Sequence, residues 1–351
     1  MPKTVFVGMS GGVDSSVSAL LLQKQGYKVV GAYMKNWSTD LPGMKCPWAE
    51  DLADAKRVAV KLGIEFLVFD FEKEYKERVV DYMLAEFKKG NTPNPDIMCN
   101  QEIKFKLFYE KAMEMGADFI ATGHYARENN GKLLRAVDEN KDQTYFLYRI
   151  SKDSLKHTLF PIGEMKKPEV KKLAQDNGLH NAYKKESMGV CFVGEVGMKD
   201  FLKKYIEVVP GEIREIESER ILGYHEGAIF YTIGQRHGLY LTGVAGEVND
   251  GMPYYVVKKD ITKNIVYVSK NLNDEHIWTD KLTLKDVFLR EKLDFSSEKS
   301  VLVRLRHRAP LILAKFDEKN LIFENKIKRP ASGQSAVLYE NEICLGGGVI
   351  E

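Results

Sequence analysis

Short apolar runs alternate with amphipathic segments over about the first 125 residues, and this alternation constrains the fold more than any other feature. Periodicity predicts strands at residues 5–9, 28–34, 65–70 and 118–122. It predicts helices at residues 13–25, 50–62, 74–88 and 102–115. Strands separated by helices of this length form βαβ units, which build a parallel sheet covered on both faces. We therefore predict that the chain begins with a doubly wound α/β domain.

The second half of the chain has a different pattern. From about residue 206 glycine is frequent and apolar residues recur in short alternating runs, which predicts small β-rich domains including a barrel. The predicted strands are residues 229–233, 254–257, 265–269, 301–305, 311–315, 320–323 and 336–339. We predict three domains, an α/β domain at 1–205, a small β-rich central domain at 206–274 and a C-terminal β-barrel domain at 275–351.

Composition is that of a soluble globular protein. Of the 351 residues, 44% are hydrophobic and 29% are charged, which excludes disordered and collagen-like classes. No apolar run reaches the roughly 18 residues of a membrane helix. A strand-like run begins almost at the first residue without a leader ahead of it, so we expect a cytoplasmic protein in a reducing compartment. The net charge of +2 excludes a uniformly basic surface but not a local basic patch.

A glycine-rich turn, Ser-Gly-Gly-Val-Asp-Ser-Ser at residues 10–16, lies between the first predicted strand and the first predicted helix. Glycines let the backbone approach an anion, and the helix N-terminus adds its positive dipole end, so the turn is predicted to bind phosphate. It lacks the lysine of a Walker loop and the spacing of a dinucleotide fingerprint. A nucleotide at the carboxyl ends of the strands would lie near Met34 and Gly123, with Asp14 on the magnesium or phosphate side. An ordinary capped glycine turn is the alternative.

The four cysteines are too few for a disulfide framework, and their spacing fits no structural zinc site. Cys99 follows a segment rich in proline and asparagine, and Cys191 lies between two glycines, so both are predicted to lie on loops. A loop thiol becomes a nucleophile when its pKa is lowered. These two are therefore candidates for chemistry, with a buried structural role as the alternative. Cys46 and Cys344 are predicted to be structural.

Seven separated motifs, spread over nearly the whole chain, resemble those of the tRNA-specific 2-thiouridylase family of PP-loop ATPases. They are Ser-Gly-Gly-Val-Asp-Ser-Ser at 10–16, Asn-Pro-Asp-Ile-Met-Cys-Asn at 94–100, Ala-Thr-Gly-His-Tyr-Ala-Arg at 121–127, Lys-Asp-Gln-Thr-Tyr-Phe-Leu at 141–147, Gly-Val-Cys-Phe-Val-Gly at 189–194, Tyr-Thr-Ile-Gly-Gln-Arg at 231–236 and Gly-Gln-Ser-Ala at 333–336. The first motif alone is shared with other PP-loop synthetases, whereas the two cysteine motifs and the C-terminal motif are more specific.

The resemblance implies a PP-loop ATP-binding catalytic domain that cleaves ATP between the α and β phosphates. The implied cofactors are ATP and Mg²⁺ carried by the nucleotide, with no metal held by the protein itself. The implied ATP-binding residues are Gly8, Met9, Ser10, Gly11, Gly12, Val13, Asp14, Ser15, Ser16, Met34 and Gly123.

The resemblance further implies that the wobble uridine of a tRNA enters beside Asn94, Pro95 and Asp96 and is adenylated at its C2 oxygen. Cys191, charged as a persulfide by a cysteine desulfurase or sulfur-relay protein, delivers sulfur to C2. Cys99 is the partner thiol that frees the sulfur and closes a transient Cys99–Cys191 disulfide. Asp96 holds or deprotonates the N3 edge of the base, and an Asx turn is its alternative role. The other implied tRNA contacts are His124, Lys141, Asp142, Gln143, Arg306, His307 and Gln334.

The resemblance implies acceptor tRNAs for Glu, Gln and Lys, and we expect a monomer that does not contact a membrane. A basic stretch supports RNA binding, since residues 299–329 hold nine Lys and Arg against three Asp and Glu, a local net charge of +6. Strand alternation places Arg304, Arg306 and Arg308 on one face, with an ordinary solvated face as the alternative. The lysines at 166–172 and 184–185 are predicted to be solvated surface charges.

Two other functions remain open at this point. The chain is compatible with a PP-loop synthetase that adenylates a small molecule, or with an RNA-binding module whose ATP loop is inactive. The paired loop cysteines and the basic C-terminal part argue against the first function. The intact phosphate loop argues against the second.

Overall fold

The computed structural model describes residues 1–39, 46–185, 197–241, 252–271, 273–290 and 299–351. In the N-terminal domain, five parallel strands form a sheet in the order β3-β2-β1-β4-β7. These strands are β1 (Thr4–Gly8), β2 (Lys28–Lys35), β3 (Glu65–Asp70), β4 (Phe119–Thr122) and β7 (Thr158–Leu159). The predicted parallel sheet is confirmed, and the four predicted strands lie within one residue of their expected bounds.

Helices cover both faces of this sheet because its central strand is apolar on both sides. Val5 and Val7 of β1 belong to one core cluster, together with residues of α1, α2 and α9. Phe6 belongs to a second cluster on the opposite face, together with the helical segments between residues 72 and 114. The helices of this domain are α1 (Val13–Lys24), α2 (Trp48–Leu62), α3 (Glu72–Tyr75), α4 (Asp81–Lys88), α5 (Pro95–Met98), α6 (Phe108–Glu114), α7 (Thr144–Leu147), α8 (Lys152–Lys156) and α9 (Lys167–Asp176), and α10 (Met198–Tyr205) follows. Within the described segments, no helix is long and apolar enough to cross a membrane.

Two of the predicted helices contain π-helical turns, Lys76–Val80 and Cys99–Leu107. The second turn begins at Cys99 and joins α5 to α6, so the predicted loop position of Cys99 is wrong. The reason is that Asn94 caps α5 and Pro95 occupies its first turn, where a missing N–H costs nothing. Cys99 is only 4% exposed and packs in the core beside this turn. Turns of this type are rare and occur frequently at functional sites.

The central domain contains a four-stranded sheet in the order β10-β11-β8-β9. Its strands are β8 (Gly211–Glu215), β9 (Ile221–His225), β10 (Tyr255–Asp260) and β11 (Ile265–Ser269). The predicted strands at 254–257 and 265–269 are confirmed, but the one predicted at 229–233 is wrong. There the N–H groups of Phe230 and Tyr231 bond back to the carbonyls of Gly227 and Ala228, which forms a 3₁₀ turn instead of a sheet ladder.

The C-terminal domain is a closed six-stranded barrel, because β12 pairs with both β15 and β17. Its strands are β12 (Trp278–Leu289), β13 (Lys299–Arg304), β14 (Ile312–Asp317), β15 (Asn320–Lys328), β16 (Ser335–Glu340) and β17 (Ile343–Ile350). The predicted barrel and its four predicted strands are confirmed. A hairpin of the N-terminal domain, β5 (Ala126–Asn129) and β6 (Lys132–Arg135), joins the barrel sheet through the Leu134–Ile343 pair.

A buried ion pair also joins the barrel to the N-terminal domain. Arg304 donates to Asp142 at 2.6 Å, and the Thr144 hydroxyl donates to the same carboxylate at 2.9 Å. The expectation that Arg304, Arg306 and Arg308 share one exposed strand face is wrong. Strand β13 ends at Arg304, which is buried, whereas Arg306 and Arg308 lie exposed in the turn that follows.

Candidate nucleotide and RNA site

The carboxyl ends of β1 and β4 lie side by side in the middle of the parallel sheet. Gly8 pairs with Thr122 at these ends, so the loop after β1 meets Gly123 after β4. A Cβ atom on Gly123 would lie 2.5 Å from the backbone nitrogen of Ser15, which shows how closely the two segments pack. Met34 of the neighbouring strand β2 reaches the same place, since a Cβ on Gly8 would lie 2.9 Å from its Cε. The structure therefore brings the predicted ATP-binding residues together.

Internal hydrogen bonds hold the loop after β1 in shape. The hydroxyls of Ser15 and Ser16 donate to the Gly12 carbonyl at 3.1 and 2.9 Å. Gly11 adopts a φ of +78°, and a Cβ there would collide with the backbone of Asp51 in α2. Gly12 begins α1 without a side-chain cap. The first-turn N–H groups of α1 are thus available to bind phosphate oxygens.

Asn181, a residue that sequence patterns did not single out, ties a distant segment to this loop. Its side-chain amide donates to the Gly11 carbonyl and to the Ser16 hydroxyl, both at 2.9 Å, and it is only 2% exposed. Three residues later, Lys184 bonds Asp54 of α2 at 2.6 Å. The stretch that leads towards the predicted Cys191 motif is therefore anchored beside the phosphate loop.

Lys167, the first residue of α9, is buried against the same loop. Its ammonium lies 2.7 and 2.8 Å from the two carboxylate oxygens of Asp14, and the Tyr125 hydroxyl donates to Asp14 at 3.1 Å. The prediction of solvated lysines at 166–172 and 184–185 is wrong for Lys167 and Lys184. Their carboxylate partners lie 153 and 130 residues earlier in the chain, so no local pattern marks them.

We expect Lys167→Met to destabilise the protein through Asp14 rather than through lost packing. Removing the ammonium leaves a partly buried carboxylate without its charge partner, which costs about 1–3 kcal/mol. In an Asp14→Asn background the same substitution is expected to cost much less, and Lys172→Met on the exposed side of α9 is the control. Urea unfolding of the four proteins of this cycle measures the coupling. Equal costs in both backgrounds would contradict the assignment.

The positive charge of Lys104 acts on both Asp96 and His124. The Asp96 N–H donates to the side chain of Asn94 at 3.1 Å, so the Asx turn here is made by Asn94 and not by the Asp96 carboxylate. This turn uses the backbone of Asp96, so its carboxylate stays available for a ligand. Burial raises the pKa of that carboxyl, and the positive charge of Lys104 acts against the rise. The role of Asp96 towards the base stays a prediction.

His124 follows Gly123 directly, and its ring packs against the π-helical segment Cys99–Leu107. Its Nδ1 is 2.8 Å from the Thr122 hydroxyl, and its ring centroid is 5.7 Å from that of Phe105. Burial, together with the charge of Lys104, holds the pKa of His124 well below its ordinary value. The imidazole is therefore neutral at physiological pH and suited to hydrogen bonding with a base. Lys104 therefore acts on both His124 and Asp96.

Cys99 lies three residues after Asp96 and begins the π-helical turn. Cys191 and the rest of its motif lie outside the described residues. The Cys99–Cys191 pairing consequently stays a prediction. Cys46 and Cys344 are buried, and burial raises the pKa of the Cys344 thiol to about 11.

The predicted tRNA contacts divide into accessible and structural positions. Arg306 is exposed on the barrel, and Lys141 is half-buried near the buried Asp142. Asp142 is only 2% exposed and is bonded to Arg304, so a direct contact with RNA requires this ion pair to open. The side-chain oxygen of Gln143 accepts from the Tyr125 N–H at 2.8 Å.

His307 and Gln334 also carry structural contacts. The His307 ring packs on Phe146 at 4.6 Å, and burial with the charge of Arg308 lowers the pKa of His307 to about 4. The Gln334 amide donates to the Thr92 carbonyl at 2.6 Å. This bond ties the barrel to the stretch that enters α5. Contact of these residues with RNA stays a prediction.

The fold and this site define a PP-loop type of nucleotide-binding α/β protein that carries two β-rich domains. Residues 3–195 match the family described as tRNA methyl transferase HUP domain. Residues 199–270 match the tRNA methyl transferase PRC-barrel domain, and residues 279–350 match the aminomethyltransferase beta-barrel domain.

The tRNA-specific 2-thiouridylase MnmA of Bacillus licheniformis is 45% identical over 359 residues, covering 99% of this chain and 94% of that protein. The protein of the same name from Histophilus somni is 46% identical over 359 residues, covering 99% and 93%. The chain belongs to the tRNA-specific 2-thiouridylase family.

Among solved structures, a 4-thiouridine synthetase–RNA complex with bound ATP aligns with a TM-score of 0.37 at 19% identity. It covers 52% of this chain and 43% of that chain. The NMN synthetase from Francisella tularensis aligns with a TM-score of 0.34 at 17% identity, covering 53% and 66%.

Proposed function

We propose that this chain is an ATP-dependent tRNA-uridine 2-sulfurtransferase, which replaces the C2 oxygen of a wobble uridine with sulfur. The observation that carries this proposal is the meeting of the phosphate loop, Met34 and Gly123 at the carboxyl ends of one parallel sheet, with the neutral His124 directly after Gly123. Its 2-thiouridylase relatives support it. Methyl transfer, which the family description names, needs neither this phosphate loop nor a thiol beside the site.

The phosphate loop holds ATP through the first-turn N–H groups of α1, with Met34 and Gly123 flanking the adenosine. The glycines of the loop fit this role because any side chain there would narrow the approach to the backbone. Mg²⁺ comes with the phosphates, since the Asp14 carboxylate is already bonded by Lys167 and Tyr125.

Asp96 and His124 handle the proton of the target base. The wobble uridine leaves the anticodon stack, at a cost of a few kcal/mol, and its N3–H meets the Asp96 carboxylate. Accepting this proton makes O2 a better nucleophile towards the α phosphate of ATP, and pyrophosphate leaves. A carboxylate whose pKa is raised by burial is the stronger base for this step. The neutral ring of His124 donates to or accepts from the base edge.

Sulfur then replaces the activated oxygen. Cys99 attacks the persulfide of Cys191, which forms the Cys99–Cys191 disulfide and releases hydrosulfide. Hydrosulfide adds to C2, AMP leaves with the former O2, and N3 regains its proton. A cellular reductant reopens the disulfide, and a persulfide donor protein recharges Cys191. These partners, a cytoplasmic location and a monomeric state are parts of the proposal.

Purified protein, ATP, sulfide and an anticodon stem-loop RNA test the proposal. We expect AMP and 2-thiouridine in equal amounts, and both products should depend on a uridine at the wobble position. The control RNA carries 2-thiouridine there already, so it should give no AMP. RNA-independent AMP formation would point to a small-molecule synthetase and overturn the proposal.

A further inference from the structure

A cavity of about 490 Å³ opens where the three domains meet, away from the nucleotide loop. Basic side chains from all three domains line it, and they are Lys89, Lys258, Lys259, His276 and Arg329. Glu275 is an acidic side chain among the lining residues, and it is exposed. The residues predicted from motifs to touch tRNA do not line this cavity.

The backbone of residues 90–92 of the N-terminal domain runs along the cavity and contacts the other two domains. Gly90 has a φ of +83°, and a Cβ there would collide with Ile261 of the central domain. On the barrel side, the Thr92 N–H donates to the Ser332 carbonyl at 2.7 Å. Two residues further along, the chain reaches Asn94, the first of the residues proposed to receive the uridine. The cavity thus lies only a few residues along the chain from the proposed uridine site.

Lys259 places a positive charge without a carboxylate partner in the lining of the cavity, as far as the described residues show. Its ammonium donates to the Gly90 carbonyl at 2.9 Å, and no carboxylate in the described part of the chain pairs with it. Burial lowers the pKa of Lys259 to about 8, which reports an uncompensated, half-buried cation. Such a charge is costly unless an anion approaches it.

The other cations leave room for an anion. Lys89 bonds Glu86 at 2.6 Å, so its charge is compensated locally, and the His276 ring lies 2.8 Å from the Asp274 carboxylate. Lys258 lies over the ring of Tyr267 at 5.6 Å. Arg329 is exposed and has no ion-pair partner among the residues described in the structure. Lys259 and Arg329, from two different domains, therefore face the cavity as a pair of available positive charges.

We propose that this three-domain cavity binds a backbone phosphate of the substrate RNA, at a nucleotide other than the modified uridine. The proposal rests on the proposed function, because the RNA is the substrate named there. RNA is favoured over an acidic protein because the lining residues Gly90 and Asn91 come just before residues 94–96, where the uridine is proposed to bind. Binding across the cavity also holds the three domains in one arrangement around the RNA.

The test compares Lys259→Met and Arg329→Met with Lys172→Met, a control on the exposed side of α9. Dissociation constants for full-length tRNA are measured without ATP over a range of salt concentrations. Each cavity variant is expected to bind about 5- to 20-fold more weakly, and the slope of log affinity against log salt should fall by about one. Turnover at saturating tRNA should stay unchanged. Lys259→Arg keeps the charge and should bind tRNA as the wild type does.

Urea unfolding distinguishes lost binding from lost folding. Lys259→Met removes an uncompensated half-buried cation, so it should not lower the urea midpoint of unfolding. If this variant does not fold, Lys259→Gln replaces it. Unchanged tRNA affinity and salt slope in both cavity variants would overturn the proposal. So would weaker persulfide transfer from the donor protein with unchanged tRNA affinity, which would identify a protein-binding surface. Absence of AMP formation by the wild type would instead contradict the proposed function.

Discussion

A Cys99→Ser variant is expected to lose 2-thiouridine formation from a persulfide donor by at least about 100-fold, while it still adenylates the RNA and releases pyrophosphate. The reason is that a serine hydroxyl cannot attack the inner sulfur, Sγ, of a Cys191 persulfide and release hydrosulfide at neutral pH. Inorganic sulfide should rescue the variant, because it supplies the species that Cys99 is proposed to release. Mass spectrometry of digested RNA measures 2-thiouridine, and RNA-dependent pyrophosphate release measures adenylation.

Cys46→Ser is the matched control for this experiment. Cys46 is also buried, and its thiol donates to the Trp37 carbonyl at 3.7 Å, a bond that a serine hydroxyl retains. We expect this variant to keep both activities. If Cys99→Ser transferred sulfur from the persulfide donor at the wild-type rate, the role of Cys99 would be refuted while the adenylation step would stand.

Gly123→Ala is expected to weaken ATP binding by about 10- to 100-fold, as a distortion of about 1–3 kcal/mol at the loop implies. The added methyl group would lie 2.5 Å from the Ser15 nitrogen and 2.8 Å from the carbonyl carbon of Asp14. Both are backbone atoms of the first turn of α1, so the phosphate loop itself has to move. Isothermal titration with ATP and RNA-dependent AMP formation measure the effect.

Gly116→Ala controls for a general loss of stability. Gly116 follows α6, has a φ of +84°, and offers open space to an added methyl group. This variant should lose some stability through backbone strain but bind ATP normally. Normal ATP affinity of folded Gly123→Ala would show that the contact between β4 and the phosphate loop does not shape the nucleotide site.

The phosphate loop shows how far local patterns reach. Its glycines, the strand before it and the helix after it are neighbours in the chain, so their geometry follows from short-range rules. Four of the five strands of the parallel sheet were predictable for the same reason, because apolar runs of four to eight residues mark buried strands, whereas the two-residue strand β7 was not. The turn at 228–230 was not predictable in this way, since its apolar residues enter the core without forming a ladder.

The residues that hold the site in place depend on contacts between distant parts of the chain. Lys167, Asn181 and Arg304 contact partners that lie 153, 170 and 162 residues earlier in the chain. As single residues they look like ordinary helix, turn and strand positions. Their roles depend on which elements become neighbours, and long-range pairing of that kind leaves no periodic trace in a single sequence.

The sequence by itself determined the domain classes, the phosphate loop and the family, because each depends on local periodicity or on contiguous motifs. Tertiary structure alone decided that Cys99 begins a buried π-helical turn, that Lys167 neutralises Asp14 and that three domains enclose a basic cavity around Gly90. The physical reason is that burial and charge compensation belong to neighbourhoods in space. Such neighbourhoods form only when distant segments of the chain pack together.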